Sequence, residues 1–515
     1  MNTEVKVPKL TLSMVVKNEE KYLRECLESV KEIADEIVLV DTGSTDGTIR
    51  IAEEYGAKIF NFPWGNDFSS ARNFALGKST GDWILSLDAD ERLDYHSIIE
   101  VKKTIENNAL LACYCRVKFY DFDEKRNYSL SYPRLFTNSP EIKFTGKVYE
   151  EIETSLIKNK YHLLNSKILI HHPGYTSSKE EKNKKIQRNL LLLSEEYDLN
   201  KSALGAFQIA KSYNMLARRE DAYTYYKIAG ENVELERALR AQCFSAISLM
   251  AHNDQKIVDA ERYIQFSLKL DDRQPFSQLL SSRIALRRGD QLTAEVRCRA
   301  AYQLNQNILA GKESSRQSVI LDPEDVIYFG LTLALQNKNP ANISFYQKEL
   351  AAYYNREECA DGVLKLTVIQ KLFGNIALNR DEEKIFIEMA NKHTMNLFLI
   401  TLSGNPDKHQ VFHLAGELQK KFPESLEVKK ISARLLDEFG KLDEAIKLLE
   451  NVVEKDHFDP AILFYLISFY LKKGADEKIK PLVGKLEKNY PHIPEIMERV
   501  RKLKRKLLTM TSVPL

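Results

Sequence analysis

Four short apolar runs near the amino end, at residues 10–16, 37–40, 57–62 and 83–87, constrain the fold more than any other feature of the chain. Between them lie stretches 22–33, 49–55 and 68–76, whose apolar residues recur at helical spacing, as Leu23, Cys26, Leu27 and Val30 do in the first. Strand–helix alternation of this kind predicts a mainly parallel sheet with right-handed crossovers. Such a sheet gathers the carboxyl ends of its strands at one edge, where open α/β sheets bind ligands. Two of the runs stop at acid: one at Asp41, before a polar glycine-bearing loop, the other at Asp88-Ala89-Asp90-Glu91. If the chain stays extended past Leu87, Asp88 and Asp90 point the same way, toward one hard cation or one nucleotide. A helix cap followed by an acidic first turn is the alternative use of the same residues.

The rest of the composition narrows the class. At 515 residues the chain exceeds one core and calls for two to four domains. With 43% hydrophobic and 29% charged residues it is an ordinary globular protein, and a net charge of +2 gives no reason to seek nucleic acid. No apolar run is long enough for an integral membrane segment, and MNTEVKVPKL lacks a signal-peptide core, so a cytoplasmic protein is expected. Six cysteines lack metal-ligand spacing and read as reduced, buried thiols, with Cys113 and Cys115 on one strand face. Neither G-x-G-x-x-G after a strand nor G-x-x-x-x-G-K-[ST] occurs, which argues against a dinucleotide dehydrogenase and a P-loop ATPase.

Four segments in register, SMVVKNEEKYL, EIVLVDTGSTDGT, FSSARNFAL and DWILSLDADE, resemble the successive nucleotide-site motifs of inverting glycosyltransferase family 2. The resemblance implies a GT-A fold, a UDP-sugar donor and Mn²⁺ or Mg²⁺. It places Asp41 at the uracil, Asn18 and Glu19 beside base and ribose, and Arg72 near the nucleotide. Val16, Thr42, Ala89 and Arg134 complete the expected nucleotide-contact set. Asp88 is expected near ribose and metal, and Asp90 as the ligand of the ion that bridges the diphosphate. The bland uses are helix capping for Asp46 and a surface ion pair for Glu19.

From residue 110 the pattern turns antiparallel, with CYCRVKFY and YSLSYPRLF, and would complete the acceptor side. The segment FTGKVYEE is similar to one in the peptide- and protein-modifying branch of the family, with Tyr149 where a histidine is usual. Inversion needs one base beside the acceptor. Glu150 is the first candidate, then Glu151, then Glu91; the alternative is that Glu150 only holds Arg134 or Lys147. In His171-His172-Pro173-Gly174-Tyr175, which is similar to the family's H-x-G-Y segment, His172 is the expected metal or phosphate ligand and His171 packs. The charge run at 179–185 reads as a solvated helix start.

Beyond about residue 182 strand character disappears. Small residues recur at Ala222, Ala260 and Ala294, and Gly440 with Gly474, like Pro460 with Pro494, stands 34 residues apart. That is the tetratricopeptide period of about 34. The fold class expected is therefore α/β plus all-α, a GT-A domain followed by an α-solenoid of TPR-like helix pairs. The division expected is 1–180 catalytic, 181–310 repeats, 311–420 degenerate repeats and 421–515 C-terminal repeats. Tyr223, Tyr225 and Tyr226 read as core and groove wall, and RVRKLKRK near the end as a capping helix face.

The leading expectation is a bacterial, metal-dependent protein glycosyltransferase. It would move glucose or N-acetylglucosamine onto Ser, Thr or Cys of a polypeptide, such as flagellin or a small secreted peptide, held by the solenoid. The alternatives are a transferase for cell-surface glycan or lipid-linked oligosaccharide, and an inactive TPR scaffold. The repeats could also serve as a homodimer platform.

Overall fold

The computed structural model describes residues 7–510 except 108, 122–125, 173–178, 314–318, 356–360, 392–393, 455–458 and 492–493. Pro173, Gly174 and Tyr175 of the expected turn, and Cys359, lie outside the described residues.

The amino-terminal elements run β1 (Leu10–Val16), α1 (Leu23–Val30), β2 (Glu36–Asp41), α2 (Thr48–Glu54), β3 (Lys58–Asn61), α3 (Phe68–Lys78) and β4 (Trp83–Ser86). Then come β5 (Arg92–Leu93), α4 (Ser97–Ile105), β6 (Leu111–Asp121), β7 (Arg126–Thr137), α5 (Glu153–Lys158) and β8 (His162–His172). All eight strands form one sheet, ordered β3-β2-β1-β4-β7-β6-β8-β5. The first four are mutually parallel, with Val16 opposite Asp41 and Asp41 opposite Asn61; β7 joins β4 and β6 antiparallel. This mixed sheet agrees with the arrangement that the GT-A resemblance implied, and its parallel half puts Val16, Asp41 and the end of β4 along one edge.

Burial explains the elements. Leu10, Leu12, Met14 and Val16 of β1 face α1, whose buried side is Leu23, Cys26, Leu27 and Val30. Val38 and Val40 of β2 pack on Ala75 of α3 across the other face, and α3 starts where the Asp67 side chain accepts from Ser70 N–H. Cys113 and Cys115 share one core face, and both thiols are free.

Two expectations are corrected. The first helix ends at Val30 rather than residue 33, because Ile33 and Ala34 N–H both turn onto the Val30 carbonyl and Asp35 N–H joins Leu10 O. The chain is thereby bent into β2. More consequentially, β4 ends at Ser86, and residues 88–91 form a turn closed by Glu91 N–H to Asp88 O at 3.0 Å. The alternation argument for Asp88 and Asp90 therefore does not apply.

After β8 the chain is helical: α6 (Lys179–Asn200), α7 (Ala203–Met215), α8 (Arg219–Glu231), α9 (Arg237–Asn253), α10 (Ile257–Leu270), α11 (Pro275–Arg287) and α12 (Gln291–Leu309). Ala222, Ala260 and Ala294 are fully buried on the second helices of three successive pairs. A repeated bond marks the period: Ser248 Oγ donates to Ala260 O at 2.6 Å, and Ser282 Oγ to Ala294 O at 2.5 Å. Tyr226 is core, while Tyr223 meets the Tyr263 hydroxyl at 3.0 Å.

The chain divides into two compact units, Met1–Leu333 and Ala334–Leu515. The sheet and α6–α12 thus belong to the first. Among its described residues the second unit consists of helices joined by turns and short irregular stretches, with no strand. Gly440 and Gly474 both sit at φ 72°, where a side chain would be strained, and Gly474 ends the helix Pro460–Lys473. The basic run at 499–506 falls within the helix Pro494–Met510.

Candidate active site

The carboxyl edge of the parallel strands opens into a cavity of about 920 Å³. Val16, Glu19, Thr42, Arg72, Asp88, Ala89, Asp90, Arg134, Glu150, Glu151 and His172 all line it. These sequence-chosen residues from seven separate segments are therefore brought together at one cavity.

Their charges form a chain. Arg72 Nε donates to Glu150 Oε1 at 2.5 Å, and Arg72 Nη2 donates to Asp88 Oδ1 at 2.6 Å. Arg134 Nη2 reaches Asp88 Oδ2 at 3.3 Å and Glu91 Oε1 at 2.7 Å. The two guanidiniums are stacked near rings, Arg72 over Phe144 at 5.5 Å and Arg134 over Tyr132 at 5.7 Å. Burial pushes the Asp88 carboxyl up, but the two arginines outweigh it and hold Asp88 well below the usual carboxylate range. Glu91 has the opposite balance: burial dominates, Arg134 offsets it only in part, and the carboxyl rises to about 7.

Position separates the base candidates. Glu91 has a side chain 2% exposed, lies beneath Arg134 and accepts from Asp88 N–H, so it supports the turn rather than facing the cavity. Glu151 shapes its own loop, accepting from Thr145 Oγ1 at 3.2 Å and Thr154 N–H at 2.8 Å. Glu150 faces the cavity and holds Arg72, not the Arg134 or Lys147 considered from sequence. Its loop is fixed at Tyr149, which has φ 53° and a hydroxyl 3.4 Å from Ser212 Oγ on α7.

On the opposite side His172 Nε2 lies 3.3 Å from Asp90 Oδ2. Burial disfavours the imidazolium, yet Asp90 more than compensates, and the His172 pKa is raised. His171 pairs with Asp94 at 2.9 Å instead. Glu19 is pushed up to about 7, first by burial and then by Asp90. Asp41 and Asn18 hold the loop after β2: Asp41 accepts from Gly43 and Ser44 N–H at 3.1 Å, and Asn18 Oδ1 from Thr45 N–H at 2.7 Å. Thr42 rather than Asp41 lines the cavity. Asp46 stands one residue before Gly47, the N-cap position of α2, and its Oδ1 accepts from the N–H of Thr48, the first residue of that helix, at 3.0 Å.

The far wall was not foreseen. Lys185 and Arg188 of α6, and Phe207, Gln208 and Lys211 of α7, line the same cavity. Helix periodicity marks such residues only as surface, so no local signal distinguishes them.

Residues 11–176 match the family model described as Glycosyl transferase family 2. The chain is 38% identical over 172 residues to a TPR repeat-containing protein of Synechococcus elongatus, covering 32% of this chain and 42% of that one. It is 30% identical over 226 residues to the SPbeta prophage-derived glycosyltransferase SunS of Bacillus subtilis, covering 43% and 53%. The chain thus spans about half the length of the curated relatives it matches. Among solved structures, residues 1–349 of S. aureus TarS in complex with UDP-GlcNAc align at 16% identity, over 58% of this chain and 92% of that one, with a TM-score of 0.28.

Proposed function

We propose, from the glycosyl transferase family 2 domain that residues 11–176 form, that the protein moves a sugar from a UDP-sugar to a polypeptide side chain with inversion. The observation that carries this reading is the single cavity where Asp88, Asp90, Arg72, Glu150 and His172 converge at the sheet's carboxyl edge. The helix pairs that follow in the same unit support a polypeptide acceptor, and the sugar expected is glucose or N-acetylglucosamine.

A divalent ion fits a two-donor site here. Asp90 and His172 offer an oxygen and a nitrogen 3.3 Å apart, while among the described residues no group of three His, Cys, Asp or Glu forms a cage. Mg²⁺-type ions commonly take one or two protein groups and complete their shell with water and substrate phosphates. Asp88, expected as a second carboxylate ligand, spends both oxygens on arginine. When bound, the ion supplies positive charge for the departing diphosphate.

The chain's own residues do the rest. Glu150 accepts the proton of the attacking hydroxyl or thiol, because it is the one base candidate that faces the cavity without closing its own loop. Arg72 holds Glu150 Oε1, which orients the carboxylate and leaves Oε2 for the acceptor. Arg134 and Arg72 together fix Asp88 in its ionised form.

The test is release of UDP from UDP-glucose and UDP-N-acetylglucosamine with Mn²⁺, with and without EDTA. EDTA-sensitive release, lost in Asp90→Ala, is the expected outcome. No release from any common donor would return the protein to the scaffold reading.

A further inference from the structure

The half of the cavity built by the family-matched residues is short of free positive charge. It is lined by six carboxylates against three lysines or arginines, and two of those three, Arg72 and Arg134, already serve Asp88, Glu91 and Glu150. A nucleoside diphosphate entering there brings further negative charge. The third cation of that half is Lys17, and the wall built by α6 and α7 adds Lys185, Arg188 and Lys211 to the same cavity.

Lys211 is the clearest case. Among the described residues no carboxylate lies within ion-pair distance of it; its recorded contact is the Phe207 ring, 5.6 Å from Nζ to centroid. The side chain is open to the water of the cavity yet crowded by protein, and that crowding alone pulls its pKa below the ordinary lysine value. An ammonium that lines the cavity with no carboxylate at ion-pair distance is available to an entering anion. A second contact points the same way. The neighbouring Ser212 hydroxyl meets Tyr149, so this turn of α7 is pinned to the loop that presents Glu150.

We propose that Lys211 binds the diphosphate of the donor nucleotide, so that the donor site is complete only when α7 is packed on the catalytic sheet. This rests on the glycosyltransferase reading above. It gives the first helix pair a role in donor binding in addition to any role in holding the acceptor.

Calorimetric titration of the full chain with UDP and with uridine, both in Mn²⁺, tests it in the parent, Lys211→Ala and Lys211→Arg. A charge-assisted phosphate contact predicts that Lys211→Ala weakens UDP about ten- to a hundredfold and leaves uridine unchanged. Lys211→Arg should recover most of the loss, since it restores the cation. Unchanged UDP affinity in Lys211→Ala, with a parent that binds UDP, overturns the role of Lys211 alone. Equal loss of UDP and uridine overturns it in favour of a structural role. A change confined to the acceptor KM overturns it in favour of an acceptor contact. A parent that binds no UDP removes the donor reading itself.

Discussion

Arg72 reaches Glu150 with Nε and Asp88 with Nη2, so one side chain orients both the proposed base and the carboxylate after β4. Glu150→Gln keeps the size and the Arg72 contact but cannot take a proton. It should lower transfer about a hundredfold or more with UDP affinity unchanged, as initial rates beside a binding titration would show; an unchanged rate would assign the base elsewhere. Glu19 titrates differently from an ordinary glutamate. The folded carboxyl keeps its proton up to about 7, against 4.5 as its reference value. Its contribution to stability is therefore complete below about pH 4.5 and lost as pH rises through about 7. Glu19→Gln should accordingly gain on the parent between pH 5 and pH 8, by about 1 kcal/mol or less because the side chain is partly solvated. Thermal melts at the two pH values check this, and an equal difference at both would contradict it.

The sheet depends on a close approach where β4 enters beside β1. A Cβ on Gly81 would lie 2.6 Å from Thr11 Oγ1 and 2.8 Å from the Lys9 carbonyl, and a backbone oxygen has little freedom to give way. Gly81→Ala should cost about 1–3 kcal/mol. Gly77, inside α3 with open space around its Cβ position, should respond with the opposite sign. Alanine there gains about 0.5–1 kcal/mol in helix propensity. Denaturant melts of the two variants measure the contrast, and similar shifts would contradict the close approach. Elements of this kind were legible because apolar spacing is local: β1 and α3 begin where expected, and the buried alanines of α8, α10 and α12 keep the repeat. The 88–91 turn was not legible. An acidic segment after a strand has no periodicity to show whether it continues or bends, and the turn is closed by the Glu91 side chain and backbone.

At the scale of the whole molecule, the two compact units predict two thermal transitions in calorimetry. Saturating UDP should raise only the transition of Met1–Leu333, by about 2.7 kcal/mol of stabilisation at a hundredfold excess over Kd. A single transition that moves as one would show that the units unfold together. By itself, the sequence determined the strand–helix order, the switch to helix pairs, and which acids, arginine and histidine gather at the strand ends. Each of these follows from local periodicity or from a parallel sheet's obligation to align its strand termini. Only the tertiary structure decided which carboxylate meets which cation: Glu150 on Arg72, Asp88 shared by Arg72 and Arg134, Glu91 buried beneath them. It also decided that Lys211 shares the cavity with Asp90, because partners so distant along the chain are chosen by packing, and packing leaves no trace in the spacing of residues.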